Sequence, residues 1–105
     1  MRLNHIDVIR WEEKGKPTLE GLTQRLEAKG LRSELFSDPP GTKYGRHAHE
    51  WNDFVVIVSG QMTIGIGDEF WVMKPGDRLD IPKNTFHWAK VTGRKDVVYL
   101  SAKID

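Results

Sequence analysis

The sequence predicts an all-β fold, a barrel or sandwich preceded by one short helix. Three observations carry this. From residue 31 onward, short runs of Val, Ile, Phe, Trp and Tyr are divided by turn-forming residues at Asp38-Pro39-Pro40-Gly41, Ser59-Gly60, Gly67-Asp68, Lys74-Pro75-Gly76-Asp77, Pro82-Lys83-Asn84 and Gly93-Arg94. These breaks recur at roughly 8–12 residues, the rhythm of an all-β domain. The long crossover helices that a parallel α/β sheet needs are absent.

Strands are expected near residues 31–37, 43–49, 53–58, 61–67, 69–73, 77–81, 86–92 and 96–104, about eight in all, the number in a jelly-roll. Gly65-Ile66-Gly67-Asp68 reads as a hairpin turn. It lacks the Lys and following helix of a phosphate loop. Ahead of the strands, residues 1–30 form an extension. Residues 6–11 are apolar enough for an extra strand, and residues 12–16 make a charged link. Thr18 is placed to N-cap a helix whose Leu19, Leu22 and Leu26 share one face, and Gly30 is placed to end it. Gly21 weakens that helix by about 1 kcal/mol relative to Ala, so it must dock its leucines to persist. The run Phe54-Val55-Val56-Ile57-Val58 is apolar at every position, so both faces of its strand are buried. One face can line a barrel. The other must meet the helix, another sheet or a second copy of the chain.

Composition sets limits. The chain has 105 residues, enough for a single domain over 1–105. It is 38% hydrophobic and 30% charged, with a mean hydropathy of −0.53, too apolar for a disordered chain. A net charge of +1 and no basic run leave no electrostatic footprint for nucleic acid. No apolar run approaches a membrane span, and the opening residues lack the apolar region of a signal peptide, so a cytoplasmic location is expected. Cysteine is absent, which excludes disulfides, thiolate metal sites and a Cys nucleophile. No Gly-x-Ser-x-Gly elbow is present either.

Four histidines remain: His5, His47, His49 and His87. On a strand, His47 and His49 point to the same face and can converge on one cation. Asp53 opens the all-apolar strand, where an unpaired charge is costly and a metal ion would compensate it. Two His and a carboxylate with open positions suit Fe(II) and its neighbours. His87, after the turn at residues 82–85, can close the set from a facing strand. His5 reads as a surface residue.

The pattern around these residues resembles the cupin family. Its first motif is Gly, five residues, His-x-His, three or four residues, Glu, six residues, Gly. Here Gly41, His47-Ala48-His49, Asp53 and Gly60 keep every spacing, with Asp for Glu. Its second motif is Gly, five residues, Pro-x-Gly, two residues, His, three residues, Asn. Here Gly76, Pro82-Lys83-Asn84 and His87 match, with Asn84 in place of Gly and Val91 in place of the final Asn. Asn tolerates a left-handed turn conformation, so the first change is mild. Val91 is apolar and is not a ligand. The resemblance implies a double-stranded β-helix with a divalent transition metal in its mouth, held by His47, His49, Asp53 and His87. Asp is one methylene shorter than Glu, so Asp53 is open to three roles: direct ligand, ligand through water, or hydrogen-bond partner of a ligand imidazole. Glu50 and Asn52 are substitutes at positions the family does not use. A mixed nitrogen and oxygen donor set leaves Zn, Mn, Fe, Ni and Cu open.

Tyr44, Trp51, Trp88 and Tyr99 are expected on the wall of a small-molecule pocket, with Trp71 and Phe86 as further aromatic candidates. Gln61 and Arg78 are candidates to orient an anionic substrate. The resemblance implies a dioxygenase, isomerase or decarboxylase acting on a small organic acid. The alternatives are a non-catalytic barrel that binds or senses a ligand, and a metal-free barrel resembling sugar epimerases with a His base. A small barrel with an apolar strand to cover also predicts a two-fold homodimer, common among cupins of this size.

Overall fold

The structure is a computed structural model and describes residues 6–104, so His5 lies outside the described residues. Two antiparallel sheets face each other. The elements run β1 (Val8–Ile9), α1 (Leu19–Ala28), β2 (Ser33–Asp38), β3 (Lys43–His47), β4 (Asn52–Ser59), β5 (Met62–Ile66), β6 (Glu69–Met73), β7 (Arg78–Ile81), β8 (His87–Val91) and β9 (Val97–Ile104). One sheet has the order β1-β7-β4-β9-β2 and the other β3-β8-β5-β6. The eight strands expected from residue 31 onward are all present as β2 to β9, and the extra strand expected over residues 6–11 forms a ninth. The N-terminal one shortens to the two residues of β1, which pair with Leu79 and Arg78.

The all-apolar run shows why alternation matters. Val55 and Ile57 of β4 point inward and join Met62, Ile64, Leu79 and Val97 in the barrel core. Phe54 and Val56 point outward and pack with Leu22, Leu26 and Leu100. Burying each of these large side chains contributes about 1.5–3 kcal/mol. The second face is therefore covered by α1, with Trp11 packed against the same cluster. For these residues the chain supplies the cover that the sequence reading sought in part from a second subunit.

Local signals set the helix ends. The Thr18 hydroxyl accepts from the Gly21 N–H at 3.1 Å. At the other end Gly30 takes φ 78°, the Gly30 N–H donates to Glu27 O and the Leu31 N–H to Leu26 O, both at 2.9 Å. This closes the carbonyls that a helix leaves open. The N-terminal segment is tied down by Asp77, which is 4% exposed. Its carboxylate accepts from Arg10 Nη1 at 2.7 Å, from the Trp11 N–H at 3.0 Å and from the Lys74 N–H at 2.9 Å.

Candidate metal centre and cavity

β3 carries a bulge. Tyr44 pairs with Ala89 and His47 with His87, so three steps on β3 oppose two on β8. The extra residue changes the parity of the strand, as a β-bulge does. Tyr44 and His47, which plain alternation would send to opposite faces, both turn inward. β3 ends at His47, so His49 lies in the following loop. The expected strand over 43–49 is two residues too long, and shared strand alternation is not what brings His47 and His49 together.

The three histidines nevertheless meet. Ring centroids are 4.3 Å apart for His47 and His87, 4.8 Å for His47 and His49, and 5.2 Å for His49 and His87. One ligating atom from each lies within 4.8 Å of the others, among the described residues. Two rings are oriented by the backbone. His47 Nδ1 stands 2.6 Å from the Gly45 carbonyl and His87 Nδ1 2.9 Å from the Thr85 carbonyl. A carbonyl can only accept, so each Nδ1 carries the proton and donates it. In the neutral ring that arrangement puts the free lone pair on Nε2, the form that binds a metal. Burial pushes His87 below its ordinary value of 6.5, against the opposing Thr85 hydrogen bond. Burial also lowers His49, against the pull of the Asp53 carboxylate. Both shifts favour neutral imidazole. The donor set and the ring orientation fit a divalent transition metal.

Asp53 is 8% exposed. Its Oδ1 accepts from the Ser101 hydroxyl at 2.6 Å, and its Oδ2 lies 4.0 Å from His49 Nε2. Ser101, from β9, is a partner that no motif announces. The turn of the second motif is bound to the loop of the first. The Asn84 N–H donates to His49 O at 2.7 Å, and the Lys83 N–H donates to Asn52 Oδ1 at 2.9 Å. Asn84 takes φ 61°, the conformation for which glycine is the easy choice.

A cavity of about 360 Å³ opens beside the histidines and Asp53. Tyr44, Trp51 and Tyr99 line it, together with Glu34, Phe36 and Lys103, which the sequence did not single out. Trp51 stacks on His49 at 4.5 Å, and the Lys103 ammonium sits 4.1 Å over the other ring system of this stack, the Trp51 indole. Phe36 stacks on Tyr99 at 5.4 Å. The Tyr44 hydroxyl donates to Asp38 Oδ2 at 2.6 Å, which raises Tyr44, with burial adding to it. Burial raises Tyr99 strongly, so it stays a protonated phenol.

Five side chains fall elsewhere. Trp88 neighbours His87 on β8 and so faces the opposite way. Its indole lies over Gly65, where an added Cβ would come within 2.1 Å of the ring. Gln61 donates to Thr92 Oγ1 at 3.0 Å, outside the cavity. Arg78 lies on the outer face of the five-stranded sheet, with its guanidinium 4.5 Å from the Phe54 ring centroid. Phe86 is 50% exposed and stacks under Arg46 at 4.0 Å. Trp71 packs against the barrel core.

Two facing antiparallel sheets with inward histidines at one end define a double-stranded β-helix with a metal-type site. The family model for the cupin domain matches residues 34–103, and the chain belongs to the cupin family. Among solved structures it is similar to a DMSP lyase (TM-score 0.65, 22% identity, 71% of this chain and 38% of that one). It is similar to a cupin superfamily protein from Desulfitobacterium hafniense (TM-score 0.63, 16% identity, 99% and 81%). It also resembles KdgF from Halomonas sp. (TM-score 0.60, 23% identity, 70% and 68%). The chain thus spans well under half of the DMSP lyase chain. A search of curated proteins found no match.

Proposed function

We propose that this cupin binds a divalent transition metal through His47, His49 and His87 and acts on a small organic acid in the adjoining cavity. The observation that carries the reading is the convergence of three ligating nitrogens within 4.8 Å, two of them on rings whose Nδ1 is held by backbone carbonyls. Zn, Mn, Fe, Ni and Cu all suit such a set. When bound, the cation supplies Lewis-acid or redox chemistry to an oxygen-bearing substrate.

The remaining roles belong to the chain. Asp53, anchored by Ser101, sits as a neighbour that steers His49. Lys103 provides a cation for a carboxylate at the mouth, and the Tyr99 phenol provides a proton donor deeper in the wall. Trp51, Phe36 and Tyr44 present aromatic surface to the substrate body. Dioxygenase, isomerase and decarboxylase chemistry are all compatible with this arrangement. A two-fold homodimer belongs to the same proposal. It rests on β2, the outer strand of its sheet, whose Leu35 is 53% exposed.

The test is elemental analysis of the purified protein and of His47→Ala, His49→Ala and His87→Ala variants. It is followed by dioxygen-consumption and isomerisation assays on small organic acids with the metal restored. Stoichiometric metal in the parent and its loss in each variant is expected. Full metal content in all three variants would refute the site.

A further inference from the structure

A second cavity, of about 510 Å³, lies on the far side of the five-stranded sheet from the histidines. Its floor is Phe54 and Val56 of β4, its walls Leu22 and Leu26 of α1 and the indole of Trp11. Its size falls within the ~300–1,000 Å³ of small-molecule sites.

The apolar lining is ringed by cations. Lys29 Nζ stands 5.5 Å and the Arg78 guanidinium 4.5 Å from the Phe54 ring centroid, and the Arg25 guanidinium 4.8 Å from Trp11. Arg10 also borders the cavity. Some of this charge is already matched. Arg25 is ion-paired with Glu13, and Arg10 with Asp77 at 2.7 Å. Glu12 is the other carboxylate on the rim. Arg78 is matched poorly. Asp80 Oδ1 lies 3.2 Å from its Nε, yet that nitrogen is buried and makes no hydrogen bond.

We infer that this cavity binds a small organic anion with an apolar body, an aliphatic or aromatic carboxylate. The body lies against Phe54, Val56, Leu22, Leu26 and Trp11. The carboxylate sits between Lys29 and the solvent-facing part of the Arg78 side chain, which is 25% exposed, while the enclosed Nε stays beside Asp80. A neutral apolar guest would offer the Arg78 and Lys29 cations no counter-charge, and a cationic one would meet two like charges. The site is independent of the metal, because its lining shares no residue with the histidine cavity.

The experiment is calorimetric titration of the full chain with octanoate, and with octanol and octylammonium as probes of equal length. Saturable one-to-one binding of octanoate is expected, with octanol and octylammonium weaker by about tenfold or more, the worth of a charge-assisted hydrogen bond. Lys29→Gln and Arg78→Gln should each weaken octanoate by a similar factor, and His49→Ala should leave it unchanged. Lys29 ends the helix at the surface, so its variant decides the matter if Arg78→Gln fails to fold. Absence of saturation at millimolar octanoate overturns the inference. So does octanol binding as tightly as octanoate, unchanged affinity in Lys29→Gln, or loss of binding in His49→Ala.

Discussion

The backbone N–H of Asn84 donates to the carbonyl oxygen of His49 at 2.7 Å, which joins the turn of the second motif to the histidine loop of the first. The bond forms because Asn84 adopts φ 61°. A β-branched residue resists that conformation by about 1–2 kcal/mol. Asn84→Gly is expected to keep both stability and zinc affinity. Asn84→Val should lower stability by about that amount and weaken zinc binding. Thermal melts and zinc titration of the two variants check this.

Asp53 is expected to act through His49. Its Oδ1 is committed to Ser101, and its Oδ2 is 4.0 Å from His49 Nε2. Asp53→Asn should reduce metal affinity by the ~10–100-fold typical of a partner outside the ligand set, whereas each His→Ala change abolishes stoichiometric binding. Competition with a calibrated chelator measures both. A loss in Asp53→Asn as complete as in His87→Ala would make Asp53 a direct ligand.

Stability of the metal-free protein should fall on mild acidification. His87 and His49 are pushed below their ordinary value of 6.5, chiefly by burial. Above 6.5 both rings are neutral whether the chain is folded or not. As pH drops below it, the unfolded chain takes up protons that the folded chain refuses, so the folded state loses ground until the folded values are reached. The same shifts extend metal retention to lower pH than free imidazole would allow. Melting temperatures between pH 7.5 and 5.5 should decline, and His87→Gln should flatten the decline.

Trp88 is expected to matter for packing and leave the metal cavity alone. An added Cβ at Gly65 would meet its indole at 2.1 Å, so Gly65→Ala should cost about 1–3 kcal/mol, the usual range for overpacking. Zinc content should stay at the parent level. Denaturant unfolding and elemental analysis separate these outcomes.

Features that depend on neighbours along the chain were legible in the sequence. Thr18 and Gly30 bound the helix because a cap acts over three or four residues. The breaks at Gly41, Gly60 and Gly76 are legible because each takes a positive φ, for which glycine is suited. His47, His49 and His87 were readable as one site from motif spacing, and Asn84 as a stand-in for glycine from its own conformational range. Tertiary structure decided whatever depends on pairing between distant strands. The bulge between Tyr44 and His47 exists only as a register against β8, so no alternation rule could turn both residues inward. Trp88 was sent outward because His87 took the inner face. Ser101, Lys103 and Glu34 reached the site through β2 and β9, far from either motif. Phe54 and Val56 found their cover in α1, which lies at least 26 positions earlier in the chain. Side chains on a strand have two faces to choose from. The sequence states the alternation, but only the assembled sheets assign which face becomes the cavity and which the outer wall.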